Sequence, residues 1–169
     1  MAEEIVNRVA KSNLMTIDLE DFYPSGARVV FDIKDWLYEG LILREKEFRA
    51  HVSEHDWTQY TNTYVALTCG TDAIIPSWAY LLLTTALATS AKKVVIGDLV
   101  LLETVIFQEL LAELPLEEFR DKPVIIKGCA NKPIPSSAYA FLIQRLQPVV
   151  KSLLFGEACS TVPLYKRKK

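Results

Sequence analysis

The sequence predicts an α/β fold: a single domain built on a mixed, mostly parallel sheet of about six strands with helices packed on it. Three observations carry that expectation. Half of the 169 residues are apolar and 24% are charged, which is enough apolar chain to bury roughly two-thirds of the unfolded surface and excludes a disordered or fibrous protein. Four short apolar runs, 64–68, 93–97, 123–127 and 151–155, lack polar alternation and are separated by helix-length segments. Strands buried on both faces of a parallel sheet read this way. Finally, the chain matches itself at an offset of 59 positions.

That internal repeat aligns 40–98 with 99–157 without gaps, at 13 identical positions. In its best block Ile75-Pro76-Ser77-Trp78-Ala79-Tyr80, followed by Leu83 and Leu87, matches Ile134-Pro135-Ser136-Ser137-Ala138-Tyr139, followed by Leu142 and Leu146. The spacing of three and then four places each Tyr-Leu-Leu set on one helical stripe, and Pro-Ser marks the start because proline tolerates a helix's first turn. Each repeat unit therefore reads helix, strand, helix, strand. Ahead of the repeat, 28–33 and 37–43 flank Lys34-Asp35 and read as an antiparallel hairpin on one edge of the sheet. No Gly/Pro/Ser-rich linker interrupts the chain, so 1–169 is read as one domain with repeat units 40–98 and 99–157.

Charge and leader signals narrow the setting. Nineteen Lys and Arg against 21 Asp and Glu leave a formal charge of −2, the wrong sign for a nucleic-acid partner. Glu3 and Glu4 stand where a signal peptide would carry lysines. The longest nearly apolar stretch, 79–88, is about half of the roughly 20 residues a membrane span needs. A cytoplasmic protein with no membrane partner is expected, and the composition leaves its oligomeric state open. The basic end Lys166-Arg167-Lys168-Lys169 reads as a frayed tail, Asp18, Glu20 and Asp21 as a solvated acidic turn, and Trp36, Trp57 and Trp78 as core.

The cysteines single out one region. In a parallel sheet all strands deliver their following loops to one edge, where ligands gather. Cys69 follows the run ending at Thr68, Cys129 the run ending at Lys127, and Cys159 comes shortly after Phe155; Asp98 and Glu157, matched in the repeat, follow two runs as well. These five residues are the candidate binding set, with the three thiols as metal ligands for an iron–sulfur cluster or zinc, or as redox thiols. Cys69 and Cys129 also precede helix starts, where the macrodipole favours thiolate. Three separate core cysteines would read the same way in sequence, since free cysteine is among the most buried residue types.

His51-Val52-Ser53-Glu54-His55 fits the H-x-x-E-H spacing of a zinc peptidase. The repeat argues against it, because His51 and His55 align with Leu110 and Leu114 while Glu54 aligns with Glu113. Half-buried imidazoles and a structural glutamate are expected instead. There is no G-x-G-x-x-G, P-loop or G-x-S-x-G, so the reading leans away from an enzyme.

The segments Val6-Asn7-Arg8-Val9-Ala10, Asp18-Leu19-Glu20-Asp21-Phe22-Tyr23-Pro24, Val30-Phe31-Asp32-Ile33-Lys34-Asp35, Lys127-Gly128-Cys129 and Cys159-Ser160-Thr161-Val162-Pro163-Leu164-Tyr165 resemble the bacterial family called domain of unknown function 2480. The likeness covers almost the whole chain. Members of that family tend to be encoded near SUF iron–sulfur assembly machinery, so the resemblance implies iron–sulfur assembly proteins as partners and a role in handling a cluster, metal ion or persulfide. It brings the Cys129 and Cys159 motifs with it more clearly than Cys69. The order of strands and helices also resembles the SpoIIAA-like (STAS) fold, whose members are non-catalytic interaction modules, and that is the alternative reading.

Overall fold

The apolar runs fold as strands, and the Pro-Ser sites start helices. The computed structural model describes residues 13–128, 131–157 and 160–168. In chain order its elements are β1 (Met15–Ile17), β2 (Arg28–Asp32), α1 (Glu45–Glu54), β3 (Tyr64–Thr68), α2 (Ser77–Leu87), β4 (Lys93–Ile96), α3 (Leu99–Ala112), β5 (Pro123–Ile126), α4 (Ser136–Leu146), β6 (Ser152–Glu157) and β7 (Ser160–Lys166). No helix among the described residues is long and apolar enough to cross a membrane.

The expected single sheet of about six strands is corrected: among the described residues seven strands form two sheets. One has the order β2-β3-β4 and is parallel throughout; the other has the order β1-β5-β6-β7, parallel except for β7 against β6. The division turns on β1, a strand of three residues that is too short to show a period but pairs with β5 from Met15–Val124 to Ile17–Ile126. The expected hairpin is also absent. β2 runs parallel to β3 from Arg28–Tyr64 to Asp32–Thr68, residues 33–36 form a 3-10 turn, and 37–43 contributes a single bridge between Tyr38 and Ile42. The Asp32 carboxylate decides this by accepting the Lys34 N–H and capping the turn, which turns Ile33 and Leu37 into the core.

The chain divides into two compact units: an inserted unit, Pro24–Ile106, and a split unit made of 13–23 and 107–168 among the described residues. The crossing back into the split unit falls within α3, between Ile106 and Phe107. In the inserted unit Val65 and Leu67 of β3 pack with Phe31, Phe48, Leu83 and Leu87, while Ala66 on the opposite face meets Leu102 and Ile106. All three strand residues are fully buried, which explains their lack of alternation. In the split unit Val124 and Ile126 pack with Phe107, Leu111, Leu142 and Leu146.

Equivalent features recur at 59 residues' separation. α2 and α4 both have 11 residues, both start after a proline at the cap, and both bury three residues, Ala79, Leu83 and Leu87 in one and Ala138, Leu142 and Leu146 in the other. Asn62 and Asp121 both take positive φ, 62° and 58°. Asn62 N–H donates to Ser90 and Asp121 N–H to Val149; Lys92 N–H donates to Thr63 and Lys151 N–H to Lys122.

The tail is docked rather than frayed as far as Arg167. Its backbone N–H donates to Lys151, its guanidinium donates to the Val149 carbonyl at 2.9 Å, and it pairs with Asp121. The three tryptophans, expected in the core, are half-buried at its margin.

One buried ion pair holds α3 to β2. Arg28 Nε lies 2.7 Å from Glu103 Oε1 with side-chain exposures of 12% and 7%, and its Nη1 donates to the Pro24 and Gly26 carbonyls. Loss of one partner strands the other charge away from water. Glu103→Ala should therefore lower unfolding free energy by about 3–5 kcal/mol, whereas replacing both residues with apolar ones of similar volume should recover most of that loss. Urea unfolding of the two variants checks this, and equal losses in both would contradict it.

Candidate functional site

The carboxyl edges of the two sheets are built by the same local device. Ile17-Asp18-Leu19-Glu20-Asp21-Phe22 and Phe31-Asp32-Ile33-Lys34-Asp35-Trp36 each end a first strand with an aspartate that caps a 3-10 turn. Asp18 Oδ1 accepts the Glu20 N–H and Asp32 Oδ1 the Lys34 N–H, both at 3.0 Å. Leu19 and Ile33 then enter the two cores. Asp18 is thus a structural cap and not part of a merely solvated turn.

Each aspartate also reaches the loop after the neighbouring strand. Asp32 Oδ1 accepts the Gly70 N–H at 2.9 Å. A Cβ at Gly70 would stand 2.5 Å from Asp32 Oδ2, so a larger residue there would push the carboxylate away from the Gly70 N–H. Beside it, the half-buried Cys69 thiol lies 3.5 Å from Thr71 Oγ1, which in turn donates to the Gly40 carbonyl. Burial pushes the Tyr80 phenol up, and the charges of Cys69 and Asp32 add to that.

In the split unit the partner of Asp18 is Lys127, with Nζ 3.1 Å from Asp18 Oδ2. Partial burial works to raise the Asp18 pKa, but the Glu20 N–H and the Lys127 ammonium outweigh it and leave the carboxyl below its ordinary value. Lys127 is correspondingly raised, first by Asp18 and then by the charges of Glu157 and Asp21. Next to this pair Glu20 Oε1 accepts the backbone N–H groups of Asn131 and Lys132, and Lys132 Nζ donates back to the Glu20 carbonyl. Gly128 passes so close to Phe155 that a Cβ would come within 2.6 Å of the ring.

The candidate residues separate on this frame. Cys69 follows a strand of the three-stranded sheet in the inserted unit. Cys129 and Cys159 lie outside the described residues, between Gly128 and Asn131 and between Glu157 and Ser160. With two sheets, the strand before Cys69 belongs to a different sheet from β5 and β6, so one common sheet edge for all three cysteines, as expected from the sequence, is corrected. Asp98 Oδ1 accepts the Leu101 N–H at 2.8 Å and serves as the cap of α3. Glu157 stands exposed at the end of β6, opposite Ser160, where its charge acts on Lys127.

His51 stacks on Trp36 at 5.4 Å, and His55 meets Trp57 at 4.6 Å and holds the Tyr60 hydroxyl at 3.1 Å. His55 is half-buried as expected, while His51 is exposed. Among the described residues no group of three or more His, Cys, Asp or Glu could hold a metal ion. The paired aspartates were missed by reading residues 18–21 alone; the signal for them is the match of Ile-Asp-Leu-Glu-Asp-Phe to Phe-Asp-Ile-Lys-Asp-Trp 14 positions later.

Because the folded pKa of Asp18 is lowered, its contribution to stability is complete above the ordinary carboxyl value of 3.8 and is lost as pH falls through the lower folded value. Asp18→Asn should therefore destabilise the protein at pH 7 and flatten the acid limb of stability against pH. Urea midpoints between pH 7 and about 2.5 check this, and an acid limb as steep as the parent's would contradict it. In the other unit, Gly70→Ala should lower the melting temperature through its clash with Asp32, and Asp32→Ala should relieve part of the clash in the double variant.

No curated protein and no solved structure matches the chain. The family model described as "Protein of unknown function (DUF2480)" matches residues 3–167, and with nearly the whole chain covered, including both aspartate turns and the loops after β5 and β6, this protein belongs to that family.

Proposed function

We propose that the protein is a cytoplasmic accessory binding protein that uses Cys129 and Cys159, which follow β5 and β6 in sequence, to hold a metal ion, an iron–sulfur cluster or a persulfide for iron–sulfur assembly partners. One observation carries the reading. β5 and β6 are hydrogen-bonded parallel neighbours in register from Pro123–Ser152 to Ile126–Phe155, so the chain before Cys129 and the chain before Cys159 leave the sheet side by side. Lys127 stands at this edge, paired with Asp18. Glu157 supplies a carboxylate at the same edge, leaving a fourth position for an exchangeable ligand. Cys69 and Asp98 are outside this set, since they follow strands of the other sheet.

The same reading takes the two units as copies of one βαβαβ ancestor, the first strand of one copy standing ahead of the other copy in the chain. The 59-residue recurrence of helix bounds, positive φ and turn hydrogen bonds supports it.

A second reading, a non-catalytic interaction module of SpoIIAA-like type, is favoured by a separate observation. Ile96, Leu99, Val100 and Leu101, around the start of α3, are all exposed, Val100 at 66%.

Iron, zinc and sulfane-sulfur analysis of protein purified without oxygen tests the first reading. The parent and Cys69→Ser should carry the ligand, and Cys129→Ser and Cys159→Ser should each lose it while melting like the parent, since serine is nearly isosteric but a far poorer soft-metal ligand. A parent that takes up none of the three, or serine variants that bind as well as the parent, would replace this reading with the interaction module. A Cys69→Ser variant that loses the ligand would overturn the two-cysteine assignment.

A further inference from the structure

At the turn that follows β2, the inserted unit has a pocket of about 210 Å³ whose lining includes Phe31, Trp36, His55 and Tyr60 together with the carboxylates of Asp32 and Asp35. We propose that this pocket binds a small free organic cation of the quaternary ammonium class.

The rings supply the first argument. Phe31 and Trp36 meet edge to face at 5.0 Å and 85°, Trp36 and His55 at 5.2 Å and 67°, and His55 lies nearly parallel to Tyr60 at 5.7 Å. Phe31 and Tyr60 are buried and Trp36 and His55 half-buried, so the pocket has a partly covered aromatic wall, and an electron-rich ring beside a cation attracts it through its quadrupole. The rings are held in place: His51 stacks on Trp36, Trp57 stacks on Phe31 at 5.9 Å, and the Tyr60 hydroxyl is tied to His55. A site already ordered spends little of its binding energy on closing.

Charge supplies the second. Asp32 is partly neutralised by Lys34, with Nζ 3.4 Å away, whereas exposed Asp35 forms no ion pair among the described residues. The pocket therefore keeps an acidic rim beside its aromatic wall. His55, Asp32 and Asp35 line one pocket, yet among the described residues no such trio could hold a metal ion. A bare metal ion is thus a poor occupant. A cation with an apolar exterior fits better, because its methyl groups suit Val30 and Phe31 while its charge is felt by the rings and by Asp35. A primary ammonium could meet the carboxylates at the rim, but the ring side of the pocket would leave others of its three donors without an acceptor.

Size is the third. Pockets for drug-sized ligands run from about 300 to 1,000 Å³, so this one suits a head group of a few heavy atoms.

Isothermal titration with tetramethylammonium and choline, against the uncharged choline isostere 3,3-dimethylbutan-1-ol and against potassium chloride, tests the proposal. Both cations should bind saturably, at least about tenfold more tightly than the neutral isostere, with potassium chloride silent. Asp35→Asn, at an exposed position, should weaken choline at least about threefold with an unchanged circular dichroism spectrum and melting temperature. Trp36→Leu should weaken both cations further; should that variant unfold, Asp35→Asn alone decides. Equal affinity for choline and its neutral isostere, an Asp35→Asn variant that binds as the parent does, or no saturable binding up to about 10 mM would overturn it. So would binding of a trimethyl-lysine peptide by a protein that ignores free choline.

Discussion

The rest of this structure depends on an aspartate at the carboxyl end of each first strand. Asp18 and Asp32 each accept a backbone N–H two residues ahead, and each binds across to the loop that follows the neighbouring parallel strand. The bond along the chain turns the backbone and sends Leu19 or Ile33 into a core. The bond across the strands fixes where the next loop begins. A parallel pair has no hairpin to set its register, and these carboxylates do part of that work from the side chain.

The same device has two outcomes because its surroundings differ. In the inserted unit glycine lets the backbone approach Asp32 directly, and the loop then runs through Cys69 and Thr71 with their polar groups already engaged. In the split unit a lysine meets Asp18, and the loop continues past Gly128 and Phe155 to a pair of backbone donors occupied by Glu20. At one edge the aspartate meets a backbone N–H across the strands, and at the other it meets an ammonium, with Lys127 among Asp18, Asp21 and Glu157.

The Arg28–Glu103 pair works in the opposite sense to the cores. Apolar burial of β3 on both faces is non-directional, whereas a guanidinium held by a carboxylate and two carbonyls admits one geometry. It ties the first strand of the inserted unit to the helix along which the chain returns to the split unit.

Local pattern was legible in the sequence wherever short-range chemistry decides. Ser77 and Ser136 start helices after proline, and 64–68 is a strand because Val65, Ala66 and Leu67 are apolar on both faces. The family was legible from segments spread over the whole chain. The partition into sheets was not, because hydrogen bonding between strands is a long-range choice that residue period does not encode. Met15–Ile17 is too short to carry a period, and its pairing with β5 more than a hundred residues later moved Lys127 and Glu157 onto a different sheet from Cys69. The pocket on Trp36, His55 and Asp35 was hidden for the same reason. The sequence by itself determined the helices and the buried strands; only the tertiary structure decided which loops share an edge, since that follows from which strands find each other.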